Sequence, residues 1–261
     1  MPRQLNDSSN MGSTTERSVG RTAIELAMVI PTFNERENIF PLHDALAKTL
    51  AGVEWEVMFV DDNSPDGTAD SIRELAVCNP RVHVLERIGR HGLSSACIEG
   101  MRATSAQYVV VMDADLQHDE SIVLTMLERM KSEHLDIVIA SRKIAGGSMG
   151  NLPWRRILLS ALGSQLSRLV CHCAISDPMS GFFIVDRMFF EQLASKLSGR
   201  GFKILLDLLA SSPRSVRLAE VPYRFRSRQF GKSKLNVGIN LAYLRLLGDK
   251  LIARVSGATK D

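Results

Sequence analysis

At 261 residues, 45% hydrophobic and 23% charged, the chain has the make-up of an ordinary soluble protein, with one large α/β domain or two small ones. A net charge of +3 is too small for a general nucleic-acid binder. No stretch reaches the roughly 18 apolar residues of a membrane helix, and Cys78, Cys97, Cys171 and Cys173 show no disulfide framework, which fits a reducing cytoplasm.

Residues 1–22 are polar, rich in Ser and Thr and without periodicity, so they read as a disordered leader. Strands and helices then alternate. Glu25–Ile30 reads as a strand ended by Pro31-Thr32-Phe33-Asn34-Glu35, and a helix to Leu50 carries Ile39, Leu42, Leu46 and Leu50 at helical spacing. Trp55–Val60 is a second strand, closed by Asp61-Asp62-Asn63-Ser64-Pro65-Asp66-Gly67-Thr68 before a helix to Val77. Arg81–Glu86 is a third strand, Gly92–Ala103 a helix, Gln107–Met112 a fourth strand, and Asp119–Lys131 a helix. Asp136–Ala140, a fifth strand, ends in Ser141-Arg142. Strand–helix alternation at this spacing means βαβ units and a mainly parallel sheet. Polar clusters after strands one, two, four and five then gather at one sheet edge.

The second half is less regular. Trp154–Cys171 is amphipathic, with Arg155, Arg156 and Arg168 among its apolar residues. Cys171-His172-Cys173 lacks a second ligand pair and reads as core rather than a zinc site. A strand over Phe182–Val185, helices over Arg187–Leu197 and Phe202–Ala210, and a strand over Val216–Phe225 follow. Between Arg200 and Lys234 nine Lys/Arg face only Asp207 and Glu220, a bias that favours phosphates or an anionic membrane surface. The last helix, Val237–Ala253, puts Leu241, Leu244, Leu247 and Leu251 on one side, to rest on a bilayer or on the domain itself.

The chemistry centres on Asp113-Ala114-Asp115. In extended backbone residues i and i+2 point the same way, so both carboxylates can face one ion, and Gln117 can add a neutral oxygen. Three hard oxygens suit Mg²⁺ or Mn²⁺ with positions left for substrate phosphates. The alternative is an acidic turn in which Asp119 caps the next helix. No G-x-G-x-x-G follows the first strand and no Walker-type loop is present, so a glycine cradle is not how a nucleotide would be held.

Pro31-Thr32-Phe33-Asn34-Glu35, Asp61–Thr68, Asp113–His118 and Ser141-Arg142 together resemble the GT-A inverting glycosyltransferases of family 2. With Asp177-Pro178-Met179-Ser180-Gly181-Phe182-Phe183, Gly201–Leu206 and Arg228-Gln229-Phe230-Gly231-Lys232-Ser233-Lys234, the resemblance narrows to the polyprenyl-phosphate (dolichol-phosphate) mannose synthases. It implies a GT-A, Rossmann-like α/β domain over 23–235, followed by an amphipathic helix and tail over 236–261. It also implies that Pro31, Phe33, Glu35, Val60 and Asp62 line a nucleoside pocket. Asp113, Ala114, Asp115 and Gln117 would hold metal and donor diphosphate, with Asp113, Asp115 and Gln117 as the ligands of Mg²⁺ or Mn²⁺. Arg142, Arg228 and Lys234 would meet phosphates, and Asp177 and Ser180 would lie near sugar and acceptor, which makes Asp115, Arg142, Asp177 and Arg228 the expected catalytic set. Arg155 and Arg156 are candidates for the acceptor phosphate.

The implied reaction moves mannose from GDP-mannose to a polyprenyl monophosphate at the cytoplasmic membrane surface, with a membrane-anchoring partner possible and no nucleic acid. The alternatives are a UDP-glucose or other UDP-sugar donor, or a catalytically silent nucleotide-sugar-binding subunit of a membrane complex. Phe33 stands where the family often has Tyr, which keeps stacking and loses a hydroxyl. Asn63, Asp66 and Gly67 are expected to shape their turn, Asp61 to support it, and His91 and His118 to be incidental. Lys203 stays open between a surface residue and an acceptor contact.

Overall fold

A computed structural model describes residues 23–148, 175–212 and 216–230. The leader 1–22, the 154–171 segment with Arg155, Arg156 and Arg168, Cys171-His172-Cys173, Lys234 with its neighbours from Gly231, and the helix expected within 236–261 lie outside those residues.

The described elements are β1 (Leu26–Thr32), α1 (Ile39–Thr49), β2 (Trp55–Asp61), α2 (Thr68–Cys78), β3 (Val82–Glu86), α3 (Leu93–Ala103), β4 (Tyr108–Val111), α4 (Val123–Ser132), β5 (Ile137–Ser141), β6 (Phe183–Asp186), α5 (Arg187–Leu193), α6 (Ile204–Ser211) and β7 (Leu218–Pro222). They form one seven-stranded sheet in the order β3-β2-β1-β4-β6-β5-β7. All pairings are parallel except those of β6, which runs antiparallel between β4 and β5.

Both faces of the sheet are covered, and alternation along β1 shows how. Met28 and Ile30 join one core with Ile39, Leu42 and Leu46 of α1, Ile72 of α2 and Met126 of α4. Val29, between them, points to the opposite core with Cys97 and Met101 of α3, Phe190 of α5 and Leu205 of α6. A strand buried on both faces needs the continuous apolar run that β1 has. Gly100 lets α3 lie close: a Cβ there would fall 2.5 Å from Val29 Cγ1 and 2.8 Å from Val60 Cγ2.

Element ends shift by a few residues. β1 continues through Pro31 to Thr32, beyond the last β4 partner at Val111, so proline sits where only β2 flanks the strand. The helix expected from Asp119 begins as a 3₁₀ turn over Glu120–Ile122. The strand expected over Val216–Phe225 contracts to β7 plus one bridge between Ser148 and Arg224.

This topology sets the site. Strand order reverses on either side of β1, so the carboxyl ends of β1, β2 and β4 flank the crevice where open α/β sheets bind ligands. β6 is reversed, so the turn before it, residues 177–181, lies at that same edge with the loops after β5 and β7.

Candidate functional site: an acidic cleft ringed by arginine and lysine

The first wall is built by the loops after β1 and β2. Asp61 is buried and accepts from Thr32 Oγ1 (2.9 Å), Ser64 N (2.8 Å) and Ser64 Oγ (2.6 Å), tying the two loops together. Asp66 accepts from Thr68 N (3.0 Å) and Thr68 Oγ1 (2.5 Å), and Gly67 at φ +83° and Asn63 at φ +57° complete the turn, as the sequence suggests. Phe33 is partly exposed, edge-on to His91 with ring centres 6.2 Å apart, a surface on which a flat base can lie.

Asp62 is held from below. Its Oδ1 accepts from Arg87 Nη1 (2.6 Å) and its Oδ2 from Gly92 N (2.8 Å). Arg87 is almost fully buried, also donates to Gly92 O (3.0 Å) and Ser95 Oγ (2.6 Å), and lies 3.3 Å from Glu99 Oε1. Burial raises the Asp62 pKa above the usual carboxylate value even though Gly92 and Arg87 pull it down. Arg87 therefore braces Asp62 and the Gly92 loop at once. Val60, expected in this pocket, has its side chain in the core against α3, so that position supplies packing. Pro31 is half-buried at the end of β1.

The floor is the loop after β4. Asp115 is buried, with Oδ1 accepting from Gln117 N (3.1 Å). Asp113 stays open to the cleft at 40% side-chain exposure, and among the described residues no donor lies within hydrogen-bonding distance of its carboxylate. Ala114 is buried between them. Leu116 adopts φ +60°, strain for a bulky residue at the turn that directly follows the two carboxylates. Asp119 also fills its alternative role, accepting from Ser121 N (3.2 Å) at the head of the 3₁₀ turn.

Enclosure raises both carboxyl pKa values, and for Asp115 the neighbouring Asp113 charge raises it further. Two acids crowded in this way are relieved by a cation. Among the described residues no three His, Cys, Asp or Glu side chains form a closed metal cage. Two carboxylates plus an amide oxygen fit instead a Mg²⁺ or Mn²⁺ ion that takes its other ligands from substrate phosphates.

His118 gives the floor its backing. Its ring stacks on Phe182 (5.0 Å, 13°), and its Nδ1 accepts from Asp113 N (3.2 Å). The proton therefore belongs on Nε2, 3.8 Å from Asp113 Oδ2. Burial depresses the imidazole pKa to about 4, so the ring is neutral near pH 7.

Three cations face this floor. Arg142, after β5, donates from Nε (2.7 Å) and Nη2 (3.0 Å) to both oxygens of Asp177 and packs over the Phe225 ring. Burial opposes ionisation of Asp177, but the Arg142 hydrogen bonds overcome it and leave the carboxyl below the usual range. Lys203 donates to Met179 O (3.1 Å), and burial, reinforced by Arg142, lowers its pKa to about 8. Arg228, after β7, donates from Nη2 to Asp115 Oδ2 (2.5 Å), while its Nη1 lies 3.8 Å from Glu35 Oε1. That Nη1 is buried without a hydrogen-bond acceptor among the described residues, a vacancy that a phosphate oxygen would fill.

The cleft thus gathers Phe33, Glu35, Asp62, Asp113, Asp115, Gln117, Arg142 and Arg228. Two expectations change besides that for Val60. Asp177 is fully buried beneath Arg142 and Ser180 is spent on Ala140 O (2.7 Å), so both hold the wall and neither forms its surface. The cationic stretch is not one patch either: Arg217 pairs with Asp136 at the opposite end of the sheet. Sequence reasoning missed Arg87 and His118 as supports. The only signals were an arginine ending an apolar strand and a histidine five residues after Asp113.

A mostly parallel sheet with an acidic floor and cations on its far wall fits a glycosyltransferase of GT-A architecture. Residues 27–194 match glycosyl transferase family 2, and the chain belongs to that family. It is 38% identical to dolichol-phosphate mannosyltransferase of Pyrococcus furiosus over 85% of this chain and 62% of that one, so it spans less than two thirds of this relative. It is 34% identical to the protein of that name from Saccharomyces cerevisiae over 86% of each chain, and 32% identical to polyprenol monophosphomannose synthase of Mycolicibacterium smegmatis over 85% of this chain and 83% of that one. The fold is similar to glucosyl-3-phosphoglycerate synthase from Mycobacterium tuberculosis in complex with Mn²⁺, UDP-glucose and phosphoglyceric acid. That likeness has a TM-score of 0.61 at 20% identity and covers 88% of this chain and 79% of that one.

Proposed function

We propose that the chain transfers mannose, with inversion, from GDP-mannose to a polyprenyl monophosphate at the cytoplasmic membrane surface. The observation that carries this reading is the division of the cleft. The wall proposed for the nucleoside is built by the loops after β1 and β2 and the acidic floor by the loop after β4, while Arg142 and Lys203 stand on the far side, where a second anion would need cations. The names of the relatives support mannose and a polyprenyl phosphate, and the Mn²⁺ bound by the neighbour of similar fold supports a divalent metal. Among the described residues no helix is long and apolar enough to cross a membrane, so contact with the lipid is proposed from the surface, with or without an anchoring partner.

Asp113, Asp115 and the Gln117 amide would hold Mg²⁺ or Mn²⁺, which when bound neutralises the diphosphate as it leaves. The chain's own residues do the rest. Phe33 carries the base, and the Nη1 of Arg228 takes a diphosphate oxygen. Arg142 and Lys203 hold the acceptor phosphate against its repulsion from the donor. Its second pKa is near 6, so the acceptor is largely dianionic at neutral pH. One phosphate oxygen bonds to the anomeric carbon as that carbon's bond to the GDP oxygen breaks and the electron pair leaves with GDP. No general base is needed; alignment and charge compensation supply the rate. Attack opposite an α-linked leaving group yields a β-linked mannosyl phosphate.

The test offers radiolabelled GDP-mannose and UDP-glucose in parallel to a short polyprenyl phosphate, with Mn²⁺, Mg²⁺ or chelator. Metal-dependent lipid labelling from GDP-mannose, abolished by Asp115→Ala, is expected. Labelling only from UDP-glucose would replace the donor, and binding of donor without transfer would point to a silent subunit.

Lys203 adds a pH dependence. It is cationic below about pH 8 and neutral above, against an ordinary value of 10.5, so affinity for a phosphate is lost as pH rises through 8. The kcat/KM for the acceptor is expected to fall above pH 8, and Lys203→Arg, which keeps its charge, should remove that alkaline limb. An unchanged limb in the variant would take Lys203 out of the acceptor site.

A further inference from the structure

Arg226 sits outside the cleft yet is bonded to the loop that forms its floor through four of its polar atoms. Its N–H donates to Gln117 O (2.8 Å), and its carbonyl accepts from Gln117 Nε2 (3.0 Å). Its guanidinium donates to Glu120 Oε2 and Asp119 Oδ1, both at 2.6 Å. The cationic bias of residues 200–234 favours phosphates or an anionic membrane surface, but this arginine is committed to carboxylates.

The bond to the Gln117 side chain has a definite consequence. A backbone carbonyl accepts only from the NH₂ end of an amide, so Oε1 is turned away from Arg226 and kept for another partner. The Gln117 N–H meanwhile holds Asp115 Oδ1, so one residue orients both itself and a carboxylate of the floor. The carbonyl that orients Gln117 is itself placed by the two ion pairs of the same residue. Two positions further on, Arg228 reaches Asp115 from the same anchored segment.

We propose that Arg226 is the positioning residue of the divalent-metal site, fixing the Gln117 amide so that its Oε1 serves as the neutral third oxygen beside Asp113 and Asp115. This rests on the metal-dependent reading above but on no particular sugar or lipid. Partners that orient a metal ligand without touching the metal change affinity by about 10–100-fold when removed, and Arg226→Ala belongs in that range.

The experiment is titration of the full chain with Mn²⁺, alone and with GDP, read by the electron paramagnetic resonance signal of unbound Mn²⁺, with thermal melting alongside. Arg226→Ala is expected to weaken Mn²⁺ binding about tenfold or more, and Arg226→Lys, which keeps one ion pair, by less. Gln117→Ala should weaken it comparably, and the double variant should be no worse than Gln117→Ala alone. Should Arg226→Ala fail to fold, Arg226→Lys carries the same comparison against Gln117→Ala. Wild-type Mn²⁺ affinity in the Arg226 variants, or effects of Arg226 and Gln117 that multiply, would overturn the proposal and leave Arg226 as a fastening of the fold. Wild-type protein that binds no Mn²⁺ even with GDP would overturn it together with the metal reading. Transfer from UDP-glucose in place of GDP-mannose would change the proposed donor while the Mn²⁺ comparison stood.

Discussion

Replacing Arg228 with alanine is expected to tighten Mn²⁺ binding to the nucleotide-free protein while lowering turnover. The opposite signs follow from where the guanidinium sits. Its Nη2 lies 2.5 Å from Asp115 Oδ2, so in the absence of metal it is the cation that serves this carboxylate. A metal that takes Asp115 must displace Arg228, and removal of a unit charge at such a contact is expected to tighten Mn²⁺ binding about five- to tenfold, the partial screening of a cleft included. In the catalytic complex proposed above the same side chain would turn to the departing diphosphate through its Nη1, which has no hydrogen-bond acceptor among the described residues. Losing a preorganised donor of that kind costs about 10²–10³-fold in turnover. Mn²⁺ titration and steady-state kinetics of one variant read both effects. Weaker Mn²⁺ binding would make Arg228 a support of Asp115 and not its competitor.

Asp177→Ala carries the largest expected cost in stability. Asp177 is fully buried and accepts both guanidinium hydrogen bonds of Arg142, which is itself largely enclosed. Removing one partner of a buried ion pair strands the other and costs about 3–5 kcal/mol. Thermal or denaturant unfolding should show that loss, together with a raised KM for the acceptor as Arg142 comes adrift. Replacing both partners, as in Arg142→Met with Asp177→Leu, should recover stability without activity, because the packed volume returns and the cation does not. Recovery of acceptor binding in the double variant would show that Arg142 is structural. The loop after β5 has little slack to compensate: a Cβ on Gly147 would fall 2.8 Å from both Ser141 O and the Arg142 carbonyl carbon.

Much of this was legible in the chain. Apolar runs of strand length, continuous where the sheet is covered on both faces, and amphipathic runs at helical period place every described strand and helix to within a few residues, because burial within a sheet or against it demands those patterns. Right-handed βαβ connection then brings the ends of β1, β2, β4 and β5 to one edge, so the association of Phe33, Asp62, Asp113 and Arg142 follows from order alone. The turn chemistry of Asp66 and Gly67 is local and was readable for the same reason.

What the sequence determined by itself is the parallel framework, the crevice edge and the acidic pair, since each depends on residues near one another in the chain. The tertiary structure decided which partners those residues meet. Arg228 reaches Asp115 across 113 positions, Arg226 reaches Asp119 across 107, and Asp177 reaches Arg142 across 35. No periodicity encodes such pairings. They arise because β6 enters antiparallel between β4 and β5 and β7 joins beyond β5, which swings the 177–181 turn and the 223–230 segment back over the loop after β4. The same geometry turned Val60 into the core and buried Asp177, because in a sheet covered on both faces a residue's neighbours are set by strand order and not by distance along the chain.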